Sequence, residues 1–311
     1  MPPVQGQRRR HRARNPRRCA GLTLVELLIA MALGLLVVLA AIALLLAVTR
    51  SRADQEDMQL MEENGRYGLE VLSRAVRLGG LAAAGQMEGR TVAPGFAPVF
   101  GLDASTLSRD SIDISAPAPS PHSSDVLAVR YRAAGDGTSL NCAGFPAAPD
   151  PSEAGGGSAT SWSIFYLARD AGGEPQLYCK YAGANGWSAD AVVRGVEAFQ
   201  VLYGVDGDGD GIAERMLPAS AIGPPDDSSA SPWNRVVSVR VALLLRGAQR
   251  RPGTGAASPS FDLFGTAYSE RHGSADRGVR LSGAELGDDH RLRKLVSSTI
   301  QLRNRRQEDQ Q

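Results

Sequence analysis

Residues 21–48 read GLTLVELLIAMALGLLVVLAAIALLLAV, and this stretch decides the fold of the N-terminal part of the chain. From Leu27 to Val48 it contains 22 consecutive residues without a charge. A helix of about 20 apolar residues is long enough to cross a bilayer. The small residues Cys19-Ala20-Gly21 precede the apolar run, whereas a secretory signal carries its cleavage site after the run. Cleavage after Gly21 would therefore leave the apolar helix on the mature protein.

The charge distribution predicts how this segment is oriented in a membrane. Residues 1–21 contain seven arginines and no acid, and the remaining residues hold 27 basic and 33 acidic side chains. A basic segment before a span stays in the cytoplasm, so the acidic remainder is expected to be exported. An acidic body also argues against a nucleic-acid binder, and we expect no direct nucleic-acid partner.

Glu26 is the only acid between Leu22 and Val48. An ionised carboxylate in hydrocarbon costs several kcal/mol, so it normally has a partner and a function. Cleavage after Gly21 would create an amino group four residues from Glu26, and the amine of one subunit could neutralise the carboxylate of the next. The alternative is an interfacial glutamate at the edge of a plain membrane anchor.

The helix is predicted to continue well beyond the apolar run. No proline occurs between Pro16 and Pro94, and apolar residues recur at helical spacing as Met58, Met61, Leu69, Leu72 and Val76. The pattern predicts one helix from about Leu22 to Leu78, ended by Gly79-Gly80. Gly65 and Gly68 each cost about 1 kcal/mol relative to alanine, which predicts that a β-sheet approaches the helix closely there.

Beyond Leu81 the sequence has the short alternating runs of an antiparallel sheet. The predicted strands are Val126–Tyr131, Trp162–Ala168, Gln176–Tyr181, Phe199–Tyr203 and Val236–Leu245, with a last strand near Leu295 to Leu302. Apolar residues alternate with Ser238, Arg240 and Ala242, as in a strand with one buried face. The region Gly247–Asp289 is too long for an ordinary connection, so it is either a mobile surface loop or contains short elements.

Two of the three cysteines lie in the part predicted to be exported. Cys142 and Cys179 are expected to form one disulfide in an oxidising compartment, whereas Cys19 lies in the basic head. Closing a loop of this size would stabilise the fold by roughly 3–4 kcal/mol. Two buried free thiols are the alternative. Neither cysteine has a CxxC partner, which argues against zinc and redox roles.

An acidic run, VDGDGDGIAE at residues 205–214, has the spacing of a calcium-binding loop. Asp206, Asp208 and Asp210 occupy positions 1, 3 and 5 of an EF-hand-like loop, and Glu214 occupies position 9. Position 12 lacks the usual glutamate, so a Ca²⁺ site would need Glu214, backbone oxygens such as that of Ile212, or water. The alternative is a plain acidic hairpin turn, because Asp-Gly pairs favour turns. We expect no required cofactor beyond this possible Ca²⁺.

The basic leader, Gly21 and the following LTLVELL resemble the class III signal of type IV prepilins and pseudopilins. Four further segments resemble the PilW family of minor pilins: ENGRYGL at 63–69, RLGG at 77–80, LYGVDGDGDG at 202–211 and VSSTIQLRNR at 296–305. The resemblance implies an α+β, type IV pilin-like fold, in which a long N-terminal helix packs on a C-terminal antiparallel sheet. It divides the chain into a leader (1–21), a transmembrane and assembly helix (22–80) and an exported head (81–311).

The resemblance also implies processing, partners and location. A prepilin peptidase would cut between Gly21 and Leu22 and the new N-terminus would be methylated, although Leu22 departs from the commoner phenylalanine. Glu26 would guide filament assembly. The expected partners are other minor pilins, the major pilin, the prepilin peptidase, the inner-membrane assembly platform and the lipid bilayer. The head would be periplasmic before assembly and would then lie in the pilus at the cell surface.

The implied function is that of a minor pilin in the complex at the filament tip, which primes pilus assembly for motility, adhesion or DNA uptake. A minor pseudopilin of a type II secretion system is an alternative, and so is a membrane-anchored calcium-binding ectodomain that never polymerises. The four histidines lack metal-ligand spacing, and no GxSxG or P-loop motif is present. The sequence therefore predicts a structural subunit and no enzyme.

Overall fold

A computed structural model describes residues 23–81, 97–108, 118–132, 137–148, 160–183, 186–224, 226, 228, 230–250, 259–287 and 289–304. The predicted long helix is confirmed as α1, Leu24–Leu78. The chain divides into two compact units, Met1–Arg52 and Ala53–Gln311, and α1 contributes to both.

The part of α1 in the first unit is exposed along its whole length. Every residue from Leu24 to Arg52 is exposed, and the exposed fractions of Leu24 and Leu44 are 74% and 67%. By length and composition this helix is able to span a membrane. Its apolar side chains are therefore left without cover from the described part of the chain.

The part of α1 in the second unit has one buried face. The buried residues are Asp57, Met61, Gly65, Gly68, Val71, Leu72, Ala75 and Val76. A Cβ atom added at Gly65 would lie 3.1 Å from Val296 Cγ1, and one added at Gly68 would lie 3.1 Å from Leu243 Cδ1. The predicted close approach of a sheet to the two glycines is thus confirmed.

The head is built mainly from antiparallel strands. These are β1 (Val99–Leu102), β2 (Ser105–Thr106), β3 (Ala118–Pro119), β4 (Val126–Arg132), β5 (Thr160–Arg169), β6 (Pro175–Gly183), β7 (Gly186–Arg194), β8 (Val196–Val205), β9 (Arg215–Leu217), β10 (Val236–Arg246), β11 (Phe261–Asp262), β12 (Arg280–Leu281) and β13 (Arg293–Gln301). Two short helices follow β9 and β11: α2 (Ala219–Ile222) and α3 (Thr266–His272). Every strand predicted from the sequence is present, whereas β7 and the short strands β1, β2, β3, β9, β11 and β12 were not predicted.

The strands form two main sheets. The five-stranded sheet has the order β1-β4-β5-β6-β7 and the four-stranded sheet has the order β13-β10-β8-β9. Two-stranded ribbons, β2-β3 and β11-β12, accompany them. The α+β architecture, with a long helix packed against antiparallel sheets, agrees with the predicted pilin-like fold.

The prediction that β10 has only one buried face is wrong. Of its eleven residues, only Arg240 and Arg246 are not buried. Ala242 and Leu244 belong to a second hydrophobic cluster, together with side chains from residues 263–286. The segment Gly247–Asp289 therefore contains short elements (β11, α3 and β12) that cover the face of the sheet predicted to be solvated.

A buried carboxylate joins the two main sheets. Asp125, just before β4, accepts a hydrogen bond from the Val201 amide in β8 (2.8 Å) and another from the Ala104 amide (3.0 Å). Burial, together with the negative charge of Asp103, raises the pKa of Asp125 well above its ordinary range. The bond from Val201 fixes β8 beside the start of β4, and the bond from Ala104 attaches the turn between β1 and β2 to the same carboxylate.

Candidate assembly segment and candidate cation site

The start of α1 carries a capping box. The Thr23 amide and the Thr23 hydroxyl both donate to Glu26 Oε2, at 2.9 and 3.0 Å, and the Glu26 amide donates to Thr23 Oγ1 at 3.3 Å. Two backbone amides of the first turn, which lack helical partners, are thereby satisfied. Sequence reasoning missed this role of Glu26, although Thr-x-x-Glu before an apolar run is its signature.

The capping box leaves part of the Glu26 carboxylate available. Both donors of Thr23 bind Oε2, and within the described residues Oε1 accepts no hydrogen bond. Glu26 is exposed and lies in the first turn of an apolar helix. This arrangement holds the side chain in place while one oxygen remains able to accept a bond from another molecule. Gly21 and Leu22, the predicted processing residues, lie outside the described residues.

The predicted calcium-binding residues come together at the tip of a hairpin. The loop 206–214 connects β8 to β9, in which Val205 pairs with Arg215. Asp206, Asp208, Asp210 and Glu214 each offer a carboxylate oxygen, and these oxygens lie within 4.8 Å of one another. Asp206 is buried and the other three are exposed. The geometry brings four hard oxygen ligands to one point, as a Ca²⁺ ion requires.

Backbone amides of the same loop also bind these carboxylates. Asp206 accepts from the Gly209 amide (2.6 Å) and the Gly211 amide (2.7 Å). Glu214 accepts from the Gly207 amide at 2.5 Å. The Ile212 amide donates to Asp210 (2.7 Å), and the Ile212 side chain is exposed. These bonds are those of a tight acidic turn, so the loop geometry accommodates both predicted alternatives.

The predicted disulfide joins Cys142 to Cys179 in β6, with their Cα atoms 6.0 Å apart. Both cysteines are buried. The Cys142 amide also donates to Ser163 Oγ in β5 at 3.2 Å. The loop around Cys142 is thus fixed to the five-stranded sheet by a covalent bond and a hydrogen bond.

Two residues that sequence reasoning missed fix α1 to the head. Asp57 is buried and accepts from the Ala248 amide (3.3 Å) and the Gln249 amide (3.1 Å), just after β10. Asn304 Nδ2 donates to the Arg77 carbonyl (3.0 Å) and caps the other end of the helix. Each residue is separated from its partners by about two hundred positions, so no local pattern points to either contact.

Comparison with known proteins agrees with these features. Residues 164–304, which include β6 to β13, match the family model described as Type IV Pilus-assembly protein W (PilW). Residues 16–48, which include Thr23 and Glu26, match the prokaryotic N-terminal methylation motif. No curated protein and no solved structure matches the chain. The head is thus similar to the PilW family and the apolar helix carries the N-terminal methylation motif, and together the two matches are those of a PilW-family prepilin.

Proposed function

We propose that the chain is a minor pilin, a structural and non-enzymatic subunit of the complex that primes a type IV pilus and remains at its tip. Its partners are other minor pilins, the major pilin and the inner-membrane assembly platform. The methylation motif alone fits a pilus subunit and a secretion-filament subunit equally well. The PilW match in the head favours the pilus.

The observation that carries this proposal is the exposed apolar part of α1 with Glu26 in its first turn. Large apolar residues from Leu24 to Val48 are about half exposed or more, so another hydrophobic phase has to cover them. A bilayer covers them before assembly, and the helices of neighbouring subunits cover them in the filament. Glu26 Oε1 then accepts a bond from the methylated amine that a neighbouring subunit gains when a prepilin peptidase cuts after Gly21.

The disulfide supports the proposed topology. Disulfides persist in the periplasm and at the cell surface but rarely in the bacterial cytosol. Cys142 and Cys179 are bonded in the head, so the head belongs on the periplasmic side. The arginine-rich leader then lies in the cytoplasm, as the distribution of positive charge predicts.

A pair of substitutions at Glu26 tests the mechanism. Glu26→Ala removes both the cap and the charge, whereas Glu26→Gln keeps an oxygen acceptor for Thr23 and removes only the charge. We expect both variants to insert in the inner membrane, and we expect neither to enter sheared pili. The measurement is the amount of the chain in pilus and membrane fractions, determined by immunoblot.

The glutamine variant separates the two roles of Glu26. Normal incorporation of Glu26→Gln, with loss only for Glu26→Ala, would mean that capping suffices and that no amine meets the charge. Normal incorporation of both variants would contradict the proposal. Co-purification with secretion-system subunits, and with no pilus subunit, would indicate the pseudopilin function.

We also propose that the loop 206–214 binds one Ca²⁺ ion. The convergence of four carboxylates favours it, since four negative charges so close together repel one another unless a cation is present. The Ile212 carbonyl and water would complete the six to eight oxygen ligands that Ca²⁺ takes. The ion would stabilise the hairpin between β8 and β9.

Calcium binding is testable by thermal unfolding in CaCl₂, MgCl₂ or EDTA. Binding to the folded state alone stabilises by about 2.7 kcal/mol at 100 times the Kd, so Tm should rise with Ca²⁺. Asp208→Asn combined with Asp210→Asn should abolish the rise. Asp226→Asn is the matched control, because Asp226 is also an exposed aspartate that caps a turn, through Ser228. A Tm that is unchanged up to millimolar Ca²⁺ would contradict the proposal.

A further inference from the structure

We propose that the outer edge of β13 accepts an extended strand from a neighbouring pilus subunit, which adds a fifth strand to the four-stranded sheet. This inference rests on the proposed function, because the partner is another subunit of the filament. Strand addition to a sheet edge is a common mode of protein recognition, in which backbone hydrogen bonds supply affinity and side chains supply specificity.

The four outer edges of the two main sheets differ in how well they are protected against pairing. Edges are commonly protected by short strands, by bulges and by charges. Strands β1 and β9 are only four and three residues long. Strand β7 is longer, but its pairing with β6 is interrupted by a register shift. Strand β13 has nine residues in unbroken register with β10. In the described part of the head, β13 is therefore the longest of these four edge strands that pairs without a register shift.

Hydrogen bonds at its two ends show which groups of β13 point outward. The Leu302 amide donates to the Val237 carbonyl (3.0 Å), and the Leu292 carbonyl accepts from the Gly247 amide (2.8 Å). Residues with even numbers therefore face β10, since backbone groups alternate sides along an antiparallel strand. Besides Arg293 at the start of β13, the residues whose N–H and C=O groups face away from the sheet are Leu295, Ser297, Thr299 and Gln301.

The side chains along this edge define the kind of strand that fits. The span Leu295–Gln301 contains no charge, and its serines and threonine leave room for larger side chains on a partner strand. Ile300 belongs to the core that also contains the buried face of α1, and the partly buried Val296 packs against this core. Apolar residues of the incoming strand would extend that core.

The charges that flank the span differ in their pairing. Arg293 forms an ion pair with Glu197 (2.6 Å) and Lys294 forms one with Glu62 (3.0 Å). Arg303 is exposed and makes no ion pair with any described residue. The fitting partner is therefore a strand without charge over about seven residues, with a carboxylate at the end that meets Arg303.

A strand of a neighbouring pilin head is the expected partner, because its effective concentration at the β13 edge is high. Packing of apolar helices in the proposed filament holds pilin heads side by side, which gives a neighbouring strand a high effective concentration. A free peptide has no such advantage. An edge of seven residues, with four outward amides, is then sufficient for a specific contact between subunits.

Amide hydrogen exchange of the full mature chain tests the inference directly. The chain alone in detergent is compared with the chain co-purified in complex with the pilin-like subunits of its own pilus. We expect the amides of Leu295, Ser297, Thr299 and Gln301 to exchange about tenfold more slowly, or slower still, in the complex. The amides of Val296, Ser298 and Ile300 are the internal control, because β10 protects them in both samples.

A proline substitution tests the same edge in cells. Ser297→Pro removes one outward N–H and leaves the bonds to β10, since proline is tolerated where the N–H faces solvent. We expect it to lower the yield of the chain in the complex severalfold, whereas the matched control Ser297→Ala should not. Should Ser297→Pro fail to fold, the exchange measurement still decides.

The outcomes separate this inference from the proposed function. A complex that forms while the four outward amides exchange as fast as in the isolated chain would overturn the inference alone. Protection that depends on the concentration of the isolated chain would show pairing between two copies and would also overturn it. Failure to find any complex with pilus subunits would instead contradict the proposed function.

Discussion

The two parts of helix α1 resemble each other in backbone but differ in what covers them. Between Leu24 and Val48 nearly every residue is apolar and all are exposed, whereas between Asp57 and Val76 polar residues are frequent and one face is buried. In a soluble protein the more apolar part would be the buried one. In α1 the more apolar part is instead the exposed one, which shows that this part is adapted to apolar surroundings outside this chain.

Two glycines of α1 show the same difference between its two parts. A Cβ atom added at Gly68 would lie 3.1 Å from both Leu243 Cδ1 and Val193 Cγ2, whereas one added at Gly34 would have nothing within 4 Å. Glycine destabilises a helix relative to alanine, but at position 68 it is required because strands β7 and β10 approach the helix there. Among the residues that the structure describes, none makes a contact that would require glycine at position 34.

The largest expected effect on the stability of the head is that of Gly68→Leu, for which Gly34→Leu is the control. Gly68→Leu should destabilise the head by about 1–3 kcal/mol, because the added atoms have no room. Gly34→Leu should leave head stability unchanged. Unfolding is followed by tryptophan fluorescence in detergent, since all three tryptophans (Trp162, Trp187 and Trp233) lie in the head. Equal effects at the two positions would refute the distinction between the two parts of the helix.

A smaller effect is expected from Asp57. Asp57→Ala would leave the Ala248 and Gln249 amides without their acceptor, at a cost of about 1–2 kcal/mol in the free energy of unfolding. Asp57→Asn keeps an acceptor oxygen and should cost less. Glu56→Ala, at the exposed neighbouring residue, is the control. If Asp57→Ala behaves like Glu56→Ala in the same fluorescence assay, Asp57 does not fix the helix to the head.

The smallest effect is expected at the ion pair between Glu62 and Lys294. The side chains are 71% and 38% exposed, so solvent screens the interaction despite its 3.0 Å distance. Glu62→Ala should lower stability by less than about 1 kcal/mol, and the loss should shrink further at high salt. A larger loss that is insensitive to salt would show that this contact, too, belongs to the buried attachment of the helix.

The sequence predicted those features that depend on local spacing. The apolar run, the helical positions up to Leu78 and the strands with clear alternation were all readable, as was the convergence of Asp206, Asp208 and Asp210, which lie within five residues. Strand β7, with the sequence GWSADAVVR, was missed although Trp187, Ala189, Ala191 and Val193 alternate along it, because two of these four are alanines, which are weak strand formers. Its pairing with β6 supplies the stabilisation that its weak strand propensity does not.

Contacts between segments that are distant in the sequence could not be predicted from it. The covering of β10 by residues 263–286 was missed, because a region rich in glycine, serine and alanine gives no sign that Leu263 and Phe264 pack on a sheet. The contacts of Asp57 and Asn304 were missed for the same reason. The capping role of Glu26 follows from a local pattern and could have been predicted. It was missed because the cost of a charge in an apolar run was explained only by a partner on another subunit.

We propose that the exposed apolar helix belongs to a processed filament subunit. Intact-mass and N-terminal analysis of the chain, purified from cells with an active prepilin peptidase, tests this claim most directly. We expect a mature protein that begins at Leu22 and carries one methyl group on its amine. A protein that retains residues 1–21 in such cells would contradict it.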